Sequence, residues 1–234
     1  MIVFQIDNLS RSFKTPQGAT FKVLDDISLQ VSKNEFVSLI GPSGCGKSTH
    51  LDYISMITPL KSSYMMQNDV MLPWRNVLDN IILPLEIEGI KKDKAVSKIN
   101  PLVNLFGLEK FVKFYPDQLS GGMKQRASLL RCYASERELV LLDEPFGKLD
   151  AINRIKMQEW FLNIWQKKKL TVLMVTHDIQ EAIFLSDRIY ILSKAPGRVV
   201  KKIVIPFKRP RSNKTLISPD FYALKSKIMQ YLHL

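Results

Sequence analysis

Apolar residues fall into two kinds of stretch. Phe36–Ile40, Leu139–Leu142 and Thr171–Thr176 are short apolar runs bounded by turn residues, the pattern of strands buried on both faces. Ile2–Ile6, Ile27–Val31, Ile189–Leu192 and Val199–Ile205 read as further strands, with Phe13–Ala19 a polar loop between the first two. Elsewhere the apolar positions repeat at helical spacing. Val77, Ile81 and Leu85 do so within Pro73–Gly89, and Ile155, Trp160, Ile164 and Trp165 within Ala151–Lys168. Lys92–Phe106, Ser120–Tyr133 and Ile179–Ser186 are the other expected helices, Ser120 being a good N-cap. Pro206–Lys214 is a basic, proline-broken connector. Ser218-Pro219-Asp220 opens a last helix that runs to about Tyr231, with Pro219 at its first position. Strands alternating with helices predict an α/β fold with a largely parallel sheet.

Composition narrows the class. The 234 residues are 46% hydrophobic and 24% charged, enough for one large domain with a subdomain. No apolar run approaches the roughly 20 residues of a membrane span. Met1–Asp7 lacks the basic and apolar regions of a signal peptide, so a cytosolic chain is expected. Cys45 and Cys132 form neither a metal spacing nor a disulfide framework. The net charge of +12 suits an anionic partner: nucleic acid, an anionic membrane or a nucleotide. Short clusters occur at Lys167–Lys169 and Lys201–Arg211, but the lysines are otherwise dispersed, which favours a solvated surface.

Four stretches carry chemistry. Gly41-Pro42-Ser43-Gly44-Cys45-Gly46-Lys47-Ser48-Thr49 matches G-x-x-x-x-G-K-[ST] between an expected strand and an expected helix. Gly41, Gly44 and Gly46 let several N–H groups turn inward, and the helix start adds partial positive charge. Lys47 can then reach β- and γ-phosphates, and Ser48 can ligate Mg²⁺. Leu139–Leu142 runs into Asp143 and Glu144, placing two acids at the carboxyl edge of a parallel sheet, where ligands sit in such folds. Asp143 can hold a Mg²⁺ shell and Glu144 can polarise an attacking water; the plain alternative is a surface turn. Ser120, Gly121 and Gly122 form a second anion-binding nest at a helix start. One copy cannot bring both nests to one nucleotide, whereas a head-to-tail dimer can. His177 follows the strand Thr171–Thr176, where it can serve as a γ-phosphate contact or as a turn residue.

In this order, with Gln67 after the P-loop and Leu149-Asp150 after the acids, the chain resembles the ATP-binding subunit of ABC transporters over almost its whole length. The resemblance implies a P-loop NTPase with a RecA-like core, a helical subdomain near residues 73–133 and a C-terminal connector and helix over about 206–234. It implies ATP and Mg²⁺ as cofactors, Phe13 stacking on adenine, and Gln67 joining Mg²⁺ and the lytic water to the membrane subunit. Ser120, Gly121 and Gly122 would bind ATP across a homodimer. Glu144 would be the catalytic base, Asp150 the D-loop acid and His177 the switch histidine. Met71–Asn80, Met123, Glu144–Gly147 and the tail Arg209–Leu224 are similar to importers of the nitrate, sulfonate and taurine type, a group that also takes up pyrimidine precursors. Membrane permease subunits and an extracytoplasmic solute-binding protein are then the partners, at the cytoplasmic face of the membrane, with no nucleic acid expected. The alternatives are a regulatory ABC subunit with weak hydrolysis and a soluble ABC ATPase acting on nucleic acid.

Three positions depart from the family pattern. Met123 replaces a glutamine in the signature, and Lys148 puts a charge in the D-loop. Only twenty residues separate Lys47 from Gln67, an interval that in the family also holds a pair of antiparallel strands. Two such strands with turns need about 15–20 residues beyond a helix. A reduced antiparallel subdomain is therefore expected, and with it loose base recognition, a restrained Gln67 and low basal hydrolysis. Met71, Leu72 and Trp74 are expected to form an exposed apolar docking patch.

Overall fold

The computed structural model describes residues 1–14, 18–58, 61–68 and 70–232. Parts of the expected Phe13–Ala19 loop, and Pro59 and Leu60 of the connector that follows the P-loop helix, lie outside them.

A six-stranded sheet carries the fold, in the spatial order β4-β5-β6-β3-β7-β8. Its strands are β3 (Phe36–Ile40), β4 (Ser62–Met65), β5 (Leu139–Asp143), β6 (Val172–Thr176), β7 (Arg188–Leu192) and β8 (Val199–Val204). All neighbours pair in parallel except β7 and β8, which are antiparallel. The apolar runs are unbroken because each strand feeds two cores. Phe36, Ile40, Val140, Leu142, Val172 and Met174 face one, and Val37, Leu39, Leu139, Leu141, Leu173 and Val175 the other. The alternation of strand side chains assigns them.

The first core is completed by helices α2 (Val77–Ile87), α3 (Lys92–Leu105), α4 (Gly121–Ala134), α5 (Ala151–Lys168), α6 (Ile179–Leu185) and α8 (Pro219–Tyr231). A short α7 (Asn213–Leu216) precedes α8. The second core is closed by α1 (Lys47–Ile57) and a two-stranded antiparallel sheet of β1 (Ile2–Lys14) and β2 (Thr20–Ser32). Both hairpin strands outrun the expected Ile2–Ile6 and Ile27–Val31. Polar Asn8, Ser10 and Asp26 interrupt the apolar alternation, but they sit at irregularities in the pairing. Asn8 and Asp26 take positive φ, and the Ser28 and Ser10 hydroxyls accept their N–H groups.

The interval after the P-loop helix is as short as its sequence suggests. Ser62 N–H and Lys61 N–H both donate to Thr58 O, and the chain enters β4 at once, parallel to β5. The antiparallel pair expected of the family does not occur among the described residues of this interval. β4 opens on Ser62 and Ser63 and so has no apolar run by which the sequence would reveal it.

Two further expectations change. Helix α2 begins at Val77 rather than near Pro73, because Asn76 caps it by accepting Asp79 N–H at 2.8 Å. Met71 is 9% exposed and belongs to the core, whereas Trp74 is 73% exposed. Asn80 holds the segment in this shape through bonds to Leu72 N–H and to the carbonyls of Leu72, Arg75 and Asn76.

The basic tail is partly structural. Arg211, 5% exposed, donates to the carbonyls of Ile183, Phe184 and Ser186 at the end of α6, and Arg209 donates to Leu185 O. Two guanidinium groups thus satisfy the carbonyls that the last turn of a helix leaves open. Burial lowers the Arg211 pKa to about 10.

Candidate functional site

The phosphate loop connects buried β3 to α1. Gly44 and Gly46 have φ of 77° and 92°, a region that side chains rarely adopt. A Cβ at Gly46 would also stand 2.7 Å from Val23 Cγ1 on the hairpin. Gly41 and Cys45 are buried beneath the loop, and Ser43, Gly44 and Ser48 are exposed on it. Lys47 Nζ donates to Gly41 O at 2.8 Å and Pro42 O at 2.9 Å, lying back along the loop that frames it. Ser43, Gly44, Gly46, Lys47, Ser48 and Thr49 line a cavity of about 390 Å³, together with Phe21, Val23 and Glu144.

Phe13 is not on that wall. It pairs across the hairpin with Phe21, which is, and both rings are 54% exposed. The sequence reading missed Phe21 because nothing local distinguishes it from a strand residue.

The acidic strand end closes the other side. Asp143 is 3% exposed, and its Oδ1 has no hydrogen-bond partner among the described residues. Burial pushes its carboxyl up from the usual range, the Ser48 hydroxyl opposes this, and the charge of Glu144 adds to it. Glu144 takes a positive φ of 44°, costly for a side chain of its kind, so the surrounding structure imposes its direction. Gln67 Nε2 donates to Glu144 Oε2 at 3.0 Å, and His177 Nδ1 lies 3.0 Å from Glu144 Oε1. Three residues from three separate strand ends therefore meet at one carboxylate.

Behind His177 is a buried relay. Thr176 Oγ1 hydrogen-bonds Glu181, which also accepts Gln158 Nε2 from α5. Burial raises the Glu181 pKa to about 7. Arg154 of α5 donates to Leu149 O at 2.9 Å and contacts Asp178 Oδ2 at 3.4 Å.

Ser120, Gly121 and Gly122 do not join this site. They line a different cavity, of about 480 Å³, with Lys148, Leu149 and Asp150. Ser120 caps α4, its hydroxyl accepting Met123 N–H at 3.4 Å. A Cβ on Gly121 would find its nearest neighbour at 3.8 Å and one on Gly122 at 3.4 Å. Among the described residues neither approach, nor a positive φ, demands glycine at these positions. The Asp150 carboxylate caps α5, accepting Asn153 N–H at 3.0 Å and Asn153 Nδ2 at 2.6 Å, and these bonds hold its pKa below the usual range.

Comparison with known proteins agrees with this arrangement. The ABC transporter family model matches residues 24–62 and 57–147, and its two segments meet in the shortened interval. An ABC transporter ATP-binding protein of Methanocaldococcus jannaschii is 38% identical over 99% of this chain and 91% of the relative. The taurine import ATP-binding protein TauB of Rhizobium johnstonii is 35% identical over 99% and 97%. The nitrate import ATP-binding protein NrtD of Synechococcus elongatus is 36% identical over 97% and 90%. Among solved structures, a dimeric bacterial ABC transporter cassette superposes with a TM-score of 0.73 at 26% identity, covering 89% of this chain and all of the cassette. With its P-loop, acidic strand end and signature nest so placed, the chain belongs to the ABC transporter family as an ATP-binding subunit.

Proposed function

We propose that this chain is the ATP-hydrolysing subunit of an ABC importer for a small solute of the nitrate, sulfonate or taurine kind. The observation that carries the reading is Glu144 held between Gln67 and His177 at the mouth of the phosphate cavity. A carboxylate there is within reach of a water aimed at a terminal phosphate, and its two neighbours fix both oxygens. Import is the activity in the names of the taurine and nitrate relatives.

The residues fit a divalent cation. Asp143 offers a buried oxygen without a partner beside the Ser48 hydroxyl, with Gln67 nearby on Glu144. Such hard oxygen donors suit Mg²⁺, which would neutralise phosphate charge there. The chain's own part is then to cradle phosphates on Gly41–Thr49, to hold Asp143 ready, and to orient water through Glu144.

Two copies are needed. Gly121 and Gly122 are glycine without a cause among the described residues and face a cavity apart from the P-loop, as residues do when something approaches from outside. The solved cassette is dimeric, and the same cassette has been captured in a post-hydrolysis state bound to ADP and Pi. Permease subunits would dock on the exposed apolar residues Met66, Val70 and Trp74 that surround the Gln67 segment, and an extracytoplasmic binding protein would bring the solute.

Purifying the tagged chain from membranes of its own cell tests this. Expected is a complex with integral membrane subunits whose ATPase rises when solute-loaded binding protein is added. A chain that stays free of membrane proteins and elutes with nucleic acid would overturn the importer reading in favour of a soluble ABC ATPase.

A further inference from the structure

The shortened interval does more than remove strands. It brings the third residue of β4 against the P-loop helix. Thr58 accepts both Lys61 N–H and Ser62 N–H, and its hydroxyl bonds the Ser62 hydroxyl at 2.9 Å, so β4 is pinned to the end of α1. Tyr64 pairs with Leu141, two residues before Asp143. Its hydroxyl, with a single hydrogen to give, lies 3.0 Å from Asp52 Oδ1 on α1 and 3.4 Å from Asp143 Oδ2.

We propose that Tyr64, whose hydroxyl stands between Asp52 and Asp143, is a positioning residue for Asp143 in the divalent-cation shell. The proposal rests on the reading of Asp143 as a metal-binding acid, and it adds two residues to that reading.

The argument is one of unequal need. Asp52 is exposed and can be hydrated, whereas Asp143 is 3% exposed and depends on protein donors. A buried carboxylate oxygen without a donor is costly, and the Tyr64 hydroxyl stands within hydrogen-bond distance of Oδ2. A phenol hydroxyl keeps its proton at neutral pH and so remains a donor. Tyr64 therefore fixes one oxygen of Asp143 while the other, Oδ1, keeps no protein partner among the described residues. Outer partners that orient a ligating carboxylate commonly contribute 10–100-fold to metal affinity.

The test measures Mn²⁺ binding by electron paramagnetic resonance in the presence of ADP, alongside ADP affinity without metal, for purified wild-type and variant chains. Tyr64→Phe keeps the ring and removes only the hydroxyl. It is expected to weaken Mn²⁺ binding by about tenfold or more and to leave metal-free ADP affinity within twofold of wild type. Asp52→Asn and Asp52→Ala remove the competing carboxylate, so both are expected to bind Mn²⁺ at least as tightly as wild type does. Wild-type Mn²⁺ affinity in Tyr64→Phe overturns the proposal. Equal losses with and without metal also overturn it, by assigning the tyrosine a packing role. If Asp143→Asn binds Mn²⁺ as wild type does, the reading of Asp143 fails, and the proposal with it.

Discussion

The imidazole of His177 stands 3.0 Å from the Glu144 carboxylate, joining the ends of two strands that are neighbours in the sheet. Under the proposed function Glu144 is the base in this arrangement. Glu144→Gln preserves the shape of the side chain while removing its charge and one of its two acceptor oxygens. It is expected to retain ATP binding and to lower hydrolysis by roughly 10²–10⁴-fold, the usual weight of a general base. The unhydrolysed ATP should then hold two copies together, visible as a dimer in size-exclusion chromatography. Turnover near wild type would remove Glu144 from the role.

The segment after Gln67 divides into an inward and an outward part. Met71→Ser is expected to cost about 2 kcal/mol or more of stability, since it trades a core side chain for a hydroxyl. Trp74→Ser should leave the melting temperature nearly unchanged and weaken co-purification with the permease. A melting temperature that falls for Trp74→Ser and holds for Met71→Ser would invert this division.

Base recognition should be loose. Phe21 lines the phosphate cavity and Phe13 stands beside it across the hairpin, and stacking on such rings contributes about 0.5–1.5 kcal/mol with little regard for which purine is stacked. Phe21→Ala is expected to weaken ATP and GTP alike by several-fold. Equilibrium titration of both nucleotides checks it: a preference for ATP above about 100-fold, roughly 2.7 kcal/mol, would require a specific base pocket.

His50 is the least comfortable residue in the interior. It is fully buried in α1, and neither ring nitrogen has a partner among the described residues. Burial lowers its pKa from 6.5 to about 4. Unfolding frees the ring to take a proton, so its contribution to stability is intact above pH 6.5 and is lost as pH falls through about 4. His50→Leu removes both the unpaired nitrogens and this acid sensitivity. Thermal denaturation should show a gain of about 1–3 kcal/mol at neutral pH and a flatter acid limb. A lower melting temperature at neutral pH would mean that the imidazole has a partner after all.

How much of this was legible beforehand depended on whether the signal was local. The strand–loop–helix of Gly41–Thr49, the acids after Leu142 and the cap at Ser120 are contiguous patterns, and each lies where its residues place it. His177 could be picked out from its place after Thr171–Thr176 and Gln67 only by resemblance, because their meeting at Glu144 is made by the strand order and not by spacing. Tyr64, Arg154 and Phe21 gave no sequence signal. Tyr64 matters through a short turn, Arg154 through a helix crossing and Phe21 through hairpin register. The docking patch was misjudged at Met71 for a related reason: an apolar residue in a turn-rich segment reads as exposed, and only the Asn80 bonds reveal that the segment folds inward.

The arginines at the end of α6 give the tail a mechanical meaning. His177 sits just before the first turn of that seven-residue helix, and Arg209 and Arg211 grip its last. A helix so short has few internal bonds to resist fraying, so its far end acts as a splint for its near end. Whatever lifts residues 207–211 away, whether a protease, a fused tag under tension or a neighbouring subunit, would loosen the hinge that carries the histidine. The C-terminal segment is thus a handle on the histidine proposed to act beside Glu144.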